Sequence, residues 1–227
     1  MIERSCGFKS HCRHQIINSS MKKTLLLSVP HTGTVFTRNY IVDVLDIPHC
    51  RNLGAFIVKD VSRMHVNLHT VEANYIGNGT QLNRDILEYA EENCNVIIPI
   101  RDPIENAISC LGRGHNTLHY CIGNWRAMLL EYPRFKNVFW IDVWTAEENR
   151  RNMMLKLNEF LDIEPEQEKF DNFVDQWKKV NTRSDEQMIK GDRRIPFHDV
   201  SELQFAVDWY NEKKAELNEL YSPLPTD

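Results

Sequence analysis

Residues 25–36 read Leu25-Leu26-Leu27-Ser28-Val29-Pro30-His31-Thr32-Gly33-Thr34-Val35-Phe36, and they combine three kinds of local structure. The apolar start predicts a buried strand, the proline, threonine and glycine predict a tight turn, and the residues after Gly33 predict a helix. The first backbone N–H groups of a helix have no partner within it, and the helix dipole is positive there. The segment from Pro30 to Val35 therefore predicts an anion-binding loop. The alternative is that Thr32, Gly33 and Thr34 form only a structural turn.

A second segment, residues 96–103, repeats this arrangement: Val96-Ile97-Ile98-Pro99-Ile100-Arg101-Asp102-Pro103. An apolar strand ends in a cation, and Pro103 suits the first position of a helix because proline has no N–H to leave unpaired. Two anion sites at the ends of two strands indicate a ligand with phosphates at both ends. The alternative for Arg101 is a surface ion pair with Asp102 or Glu105, and Asp102 and Pro103 are expected to cap the helix.

The first loop does not match the P-loop pattern G-x-x-x-x-G-K-[ST], because Thr34 and Val35 follow Gly33 where that pattern requires lysine. It resembles the 5′-phosphosulfate loop of sulfotransferases, usually P-K-S-G-T-T, with His31 in the place of the lysine. The second segment resembles their 3′-phosphate motif, since Ser109 follows Arg101 by eight residues.

Two later segments resemble the same family. Lys190-Gly191-Asp192 is similar to its late Lys-Gly loop, which closes over the 3′-phosphate. Val138-Phe139-Trp140-Ile141-Asp142, followed by a helix that ends in Phe160-Leu161, is similar to its penultimate strand and helix. The motifs occur in the family's order, and the resemblance covers roughly residues 22–215.

The resemblance implies a single α/β domain with a mainly parallel sheet flanked by helices, in the P-loop-like sulfotransferase architecture. It implies transfer of a sulfuryl group from 3′-phosphoadenosine 5′-phosphosulfate (PAPS) to an acceptor hydroxyl or amine, with 3′-phosphoadenosine 5′-phosphate (PAP) as the product. The 5′-phosphosulfate would be held by Pro30, His31, Thr32, Gly33, Thr34 and Val35, and the 3′-phosphate by Arg101, Ser109, Lys190 and Gly191. No metal is required, because backbone amides and fixed cations supply the charge stabilisation.

Two histidines are candidates for catalytic roles. In cytosolic sulfotransferases a Lys-Thr-His strand end delivers the base, and His69 ends the predicted strand 63–69, although Asn67-Leu68 replaces Lys-Thr. His65, on the same strand face, is the second choice. His31 stands where the family's lysine neutralises the leaving phosphate. An ordinary histidine has a pKa of about 6.5 and is mostly neutral above about pH 7. The alternative is that His31 only shapes the loop.

Apolar patterning predicts alternating strands and helices along the chain. The predicted strands are residues 24–29, 63–69, 95–100 and 138–142, and the predicted helices are a first one that reaches about residue 45, then 81–92, 103–111, 125–130, 147–161, 165–177 and a long one from Ser201. This order predicts a mainly parallel sheet that binds ligands at the carboxyl ends of its strands. The core is expected to contain the tryptophans: Trp125, Trp140, Trp144, Trp177 and Trp209. One aromatic side chain should stack on adenine, and the sequence does not indicate which.

Composition limits the class of protein. Residues 21–227 are long enough for one domain with its own core, and the polar residues 1–20 are expected to form a disordered extension. A net charge of −5 argues against a general nucleic-acid binder, and no apolar run approaches the roughly 20 residues of a membrane span. Six cysteines without paired spacing predict reduced thiols and a cytoplasmic location. The acceptor and the oligomeric state are not indicated.

Two other classes of protein remain open. One is a phosphotransferase of the P-loop type that uses ATP and Mg²⁺; the missing Gly-Lys-Ser/Thr and the lack of an obvious Mg²⁺-binding pair weigh against it. The other is a non-catalytic nucleotide-binding protein of the same fold, which His31 in the place of the usual lysine keeps open.

Overall fold

The structure, a computed structural model, describes residues 23–47, 49–50, 68–72, 81–112, 117–177 and 200–222, with the backbone alone at 49–50, 68–72, 81–86, 112 and 200. The strands in these ranges are β1 (Lys23–Ser28), β2 (His49–Cys50), β3 (Leu68–Glu72), β4 (Cys94–Ile100) and β5 (Val138–Asp142). The helices are α1 (Thr34–Asn39), α2 (Gln81–Asn93), α3 (Pro103–Gly112), α4 (Leu118–Glu131), α5 (Glu147–Leu161), α6 (Gln167–Asp175) and α7 (Gln204–Tyr221).

The described strands form one sheet in the order β2-β3-β1-β4-β5, and every neighbouring pair is parallel. Helices connect and flank these strands, so the predicted single α/β domain with a parallel sheet is confirmed. Because all the strands run the same way, their carboxyl ends lie at one edge of the sheet. The loop after β1, the residues after β4 and the residues after β5 therefore meet there.

The two central strands are almost completely buried. The segment Leu25–Ser28 of β1 and all of β4 lie in the core, which explains why both read as continuous apolar runs rather than as alternating ones. Behind the loop that follows β1, the ring of Phe36 packs 4.9 Å from that of Phe173 and 4.3 Å from that of Trp177, measured between centroids. These aromatic contacts pack α1 against α6 and against Trp177, which follows α6.

The strand predicted at residues 63–69 lies farther along the chain. The structure has β3 at Leu68–Glu72, and residues 63–67 lie outside the described ranges. Consequently the prediction that His69 ends the strand is wrong. His69 is the second residue of β3 and pairs with Leu25, whereas the last residue, Glu72, pairs with Ser28 at the end of β1.

Helix boundaries also differ from the predicted ones. α4 begins before the predicted residue 125 because the Thr117 hydroxyl caps it by accepting a hydrogen bond from the N–H of Tyr120 at 3.3 Å. The first helix changes to π-helical geometry over Tyr40–Val44, and a short 3₁₀ turn, Val200–Leu203, precedes α7. No helix in the described ranges is both long and apolar enough to cross a bilayer. Residues 1–20 lie outside these ranges, so the disordered extension stays a prediction.

Candidate functional site

The loop after β1 turns sharply into α1. The Thr32 hydroxyl donates to the carbonyl of Val29 at 2.7 Å, and the N–H of Thr32 reaches the same oxygen at 3.3 Å. His31 and Gly33 have positive φ angles, 68° and 98°. Loops that contain left-handed residues direct successive N–H groups toward one side, which makes a concave site for an anion. The helix that follows begins with a bond from the N–H of Thr37 to the carbonyl of Gly33 at 2.9 Å.

Gly33 is required in this loop for two independent reasons. Its backbone has a φ of 98°, which residues with a side chain rarely adopt. A Cβ atom at this position would also lie 2.7 Å from Cγ2 of Val143 and 2.9 Å from its Cγ1. Val143 directly follows β5, and its carbonyl accepts a hydrogen bond from the indole Nε1 of Trp177 at 3.0 Å. The loop is therefore in close contact with the segment that leaves β5.

Several buried polar atoms near the ends of β1 and β4 have no hydrogen-bond partner within the described residues. They include Oγ of Ser28, Oγ1 of Thr34 and Nε of Arg101. An unsatisfied buried polar atom costs about 1–3 kcal/mol, so such atoms are unusual in a folded protein. Hydroxyls and a guanidinium N–H are donors to the oxygens of phosphate and sulfate, and the donor set fits an anionic ligand.

Arg101 directly follows β4 and is 6% exposed. Its Nη2 lies 3.0 Å from Oε2 of Glu105, and its Cζ lies 4.3 Å from the ring centroid of Trp144. The ion pair foreseen as the alternative interpretation is thus present with Glu105, but the guanidinium is buried rather than on the surface. Asp102 instead caps α3 as predicted, because its Oδ1 accepts from the N–H groups of Ile104 and Glu105.

The two anion motifs lie side by side at the edge of the sheet. Leu26 of β1 pairs with Ile97 of β4, and four residues farther along each chain segment stand Pro30 and Arg101. α3 bridges them directly, since Nδ2 of Asn106 donates to the carbonyl of Pro30 at 2.6 Å. Ser109, on the same helix, is also buried.

Asp142, the last residue of β5, fixes the position of Trp144. Its Oδ1 accepts from the N–H of Trp144 at 2.9 Å, and its Oδ2 accepts from the hydroxyl of Tyr210 at 3.4 Å. Burial raises the pKa of the Asp142 carboxyl above its ordinary value, and the bond from Trp144 and the charge of Lys214 oppose that rise. The carboxylate thereby holds the turn whose indole covers Arg101.

The structure brings together part of the predicted site. Pro30, His31, Thr32, Gly33, Thr34 and Val35 form one loop and helix start beside Arg101, and the Val35 side chain is 58% exposed. His69 lies on β3 three residues before the end of that strand, or about 10 Å from it at the usual rise per residue. Lys190, Gly191 and His65 lie outside the described residues, and their roles stay predictions.

Three residues of the site were not foreseen from the sequence: Asn106, Val143 and Trp144. The prediction that Trp144 lies in the core is wrong, because Trp144 is 37% exposed and its ring lies over Arg101. Trp144 stands two residues after the predicted strand 138–142. Because ligands of a parallel sheet bind at the carboxyl ends of its strands, this position indicates that Trp144 lies at the site. Asn106 and Val143 offer no such signal, because each acts through a contact with a segment distant in sequence.

Comparison with known proteins supports the fold. No protein-family model and no curated protein matches the sequence. The single α/β domain, with its parallel sheet flanked by helices, shares its fold with a solved sulfotransferase structure. A solved structure with this fold is that of the mouse sulfotransferase SULT7A1 complexed with PAP. It matches with a TM-score of 0.51 at 15% sequence identity, covering 87% of this chain and 84% of that chain.

Proposed function

We propose that the protein is a sulfotransferase that takes PAPS as donor and transfers its sulfuryl group to a hydroxyl or amine. The observation that carries the proposal is that the loop after β1 and the buried Arg101 after β4, the two candidate anion-binding features, lie at one sheet edge and are joined by the bond from Asn106 to Pro30. The fold shared with a sulfotransferase that was crystallised with PAP supports the same function.

Each end of the nucleotide has its own residues in this proposal. The loop of Pro30, His31, Thr32, Gly33, Thr34 and Val35 holds the 5′-phosphosulfate with backbone N–H groups and hydroxyls. Arg101 and Ser109 hold the 3′-phosphate, with Lys190 and Gly191 closing over it. PAPS supplies the activated sulfuryl group. The fixed donors of the loop stabilise the charge that grows on the phosphate as the S–O bond breaks.

The remaining chemistry needs a base for the acceptor proton. We assign this role to His69, with His65 as the second choice. The backbone of His69 lies about 10 Å before the end of β3, which is farther than an imidazole reaches, so this role requires the acceptor to approach His69. His69→Ala should leave PAP binding unchanged and slow transfer by about 10²–10⁴-fold. If transfer slows to this extent in His65→Ala and not in His69→Ala, His65 is the base.

His31 replaces the lysine that the family uses in the loop, and we propose that it stabilises the leaving phosphate. On this assignment His31→Ala slows transfer by about 10²–10³-fold, and His31→Lys retains activity to higher pH because lysine stays charged there. Turnover by His31→Ala equal to that of the natural protein would leave His31 with only a role in loop shape.

Two alternatives are separated from the proposal by a thermal-shift screen. PAP without metal should raise the melting temperature most, since a ligand at a hundred times its Kd stabilises by about 2.7 kcal/mol. Stabilisation by ATP only when Mg²⁺ is present would assign the protein to the phosphotransferases. Stabilisation by PAP without transfer from PAPS to any of a panel of phenols, alcohols and amines would favour a non-catalytic nucleotide-binding protein.

A further inference from the structure

Asn106 on α3 has both ends of its amide engaged and is 0% exposed. Its Nδ2 donates to the carbonyl of Pro30 at 2.6 Å, and its Oδ1 accepts from Nε1 of Trp125 at 3.1 Å. An indole N–H only donates, so Trp125 requires the amide oxygen to face it and thereby directs the NH₂ group to Pro30. Trp125 is itself fully buried in α4, and the orientation of the amide is fixed from behind.

The carbonyl of Pro30 also receives a weaker hydrogen bond from Sγ of Cys110 at 3.8 Å, and the shorter bond from Asn106 contributes most to the orientation of the Pro30–His31 peptide plane. No cis peptide occurs in the described residues, so the C=O of Pro30 and the N–H of His31 point in opposite directions. With the carbonyl held toward α3, the N–H of His31 points away from α3. A reversal of this peptide would exchange an N–H dipole for a carbonyl in the loop, which repels an anion.

We propose that Asn106 is a positioning residue for the 5′-phosphate of the nucleotide. It does not touch the ligand; it acts through Pro30 by holding the Pro30–His31 peptide in the orientation that the anion-binding loop requires. α3 also carries Ser109 and follows Arg101. Asn106 therefore connects the proposed 3′-phosphate residues with the loop proposed for the 5′-phosphate. This inference rests on the proposed function, because it takes a nucleotide with two separated phosphates as the ligand.

Calorimetric titration of three nucleotides tests the inference. PAP carries both phosphates, and each monophosphate lacks one of them. The Kd of adenosine 3′-monophosphate divided by the Kd of PAP therefore measures the contribution of the 5′-phosphate. The Kd of adenosine 5′-monophosphate divided by the Kd of PAP measures the contribution of the 3′-phosphate. In Asn106→Ala the first ratio should fall about tenfold or more, as expected when a buried hydrogen bond is lost, and the second should change by less than about twofold.

Asn158→Ala is the matched control. Asn158 is also a buried asparagine with a bond to a distant segment, since its Oδ1 accepts from the hydroxyl of Tyr40 at 2.6 Å, but it does not bond to the loop. Both ratios should stay at the values of the natural protein in this variant. The control thereby separates a general loss of stability from a specific loss at the 5′-phosphate.

Asn106→Asp supplies a second readout. An ionised carboxylate has no proton to donate to Pro30, whereas a protonated one does. The first Kd ratio of each variant is compared with that of the natural protein at the same pH. As the pH is lowered, this ratio should return toward the natural value in Asn106→Asp but not in Asn106→Ala. An equal fall of both ratios in Asn106→Ala, or no fall, would overturn the positioning role. Failure of PAP to bind the natural protein would overturn the proposed function and this inference with it.

Discussion

Gly33 is the loop residue whose replacement has the most direct structural consequence. Alanine there must adopt a φ of 98° and place its Cβ against Val143, so Gly33→Ala should lower the free energy of unfolding by about 1–3 kcal/mol. Urea denaturation measures the change. Because Val143 is fully buried, Val143→Ala itself lowers stability, and the comparison is made within that background. Gly33→Ala should cost less in Val143→Ala than in the natural protein, since the overlap is gone and only the backbone strain remains.

Gly123 provides the control for that substitution. It lies within α4, and nothing lies within 4 Å of a Cβ atom added there. Gly123→Ala should therefore raise the free energy of unfolding, by about 0.5–1 kcal/mol, because alanine is the better helix former. Equal stability of Gly33→Ala and the natural protein would show that the loop does not have the conformation described.

In the proposed site, Arg101 is the residue on which binding of the 3′-phosphate should depend most. Arg101→Ala should weaken PAP binding by about 1.5–3 kcal/mol, because a charge-assisted hydrogen bond to phosphate is lost. Adenosine 5′-phosphosulfate lacks the 3′-phosphate and should be affected far less. Arg134→Ala removes an arginine that is ion-paired with Glu91 and Glu131 instead, and it should change neither affinity. Equal weakening of both ligands in Arg101→Ala would contradict the assignment.

Among the strands and helices, β1, β4 and β5 could be predicted from the sequence to within a residue. β1 and β4 are buried on both faces, so their apolar runs stand out from the polar turns that bound them. β3 could not, because Leu68-His69-Thr70-Val71-Glu72 mixes polar and apolar residues and no turn signal marks its start. The pairing of β3 with β1, rather than its own composition, defines it as a strand.

The same distinction applies to the candidate site. The loop and Arg101 could be predicted, since each is a local pattern of a strand end followed by a helix start. The bond from Asn106 to Pro30 and the stacking of Trp144 on Arg101 join segments that are far apart in sequence. Nothing in either segment alone encodes such a contact, so the sequence could not indicate it.

Asp142 at the end of β5 should make the free energy of unfolding depend on pH. Because burial raises its pKa in the folded state, the folded protein binds more protons than the unfolded chain between the ordinary aspartate value, about 3.9, and the raised value. The free energy of unfolding should therefore fall as pH rises through that interval. Asp142→Asn should remove this pH dependence, because asparagine does not titrate. Relative to the natural protein, Asp142→Asn should gain stability as the pH rises from about 4 through the raised pKa of Asp142. A difference in urea stability that does not vary with pH would contradict this prediction.

The molecule as a whole places the two candidate anion-binding features, the loop after β1 and Arg101, at one edge of a parallel sheet. The strand order puts β4 next to β1, and Pro30 and Arg101 each follow by four residues the paired positions Leu26 and Ile97. The helix that starts just after Arg101 is bonded to Pro30 through Asn106, which links the positions of the two features. This arrangement suits one ligand with two separated phosphates better than two unrelated anions.

Calorimetric titration of the natural protein with PAP, adenosine 3′-monophosphate and adenosine 5′-monophosphate tests this conclusion most directly. If both features hold phosphates of one nucleotide, PAP binds at least about tenfold more tightly than either monophosphate, since each loses a charge-assisted contact worth about 1.5–3 kcal/mol. The binding should not require Mg²⁺. Equal affinity for PAP and one of the monophosphates would show that only one of the two features binds phosphate and would contradict the account.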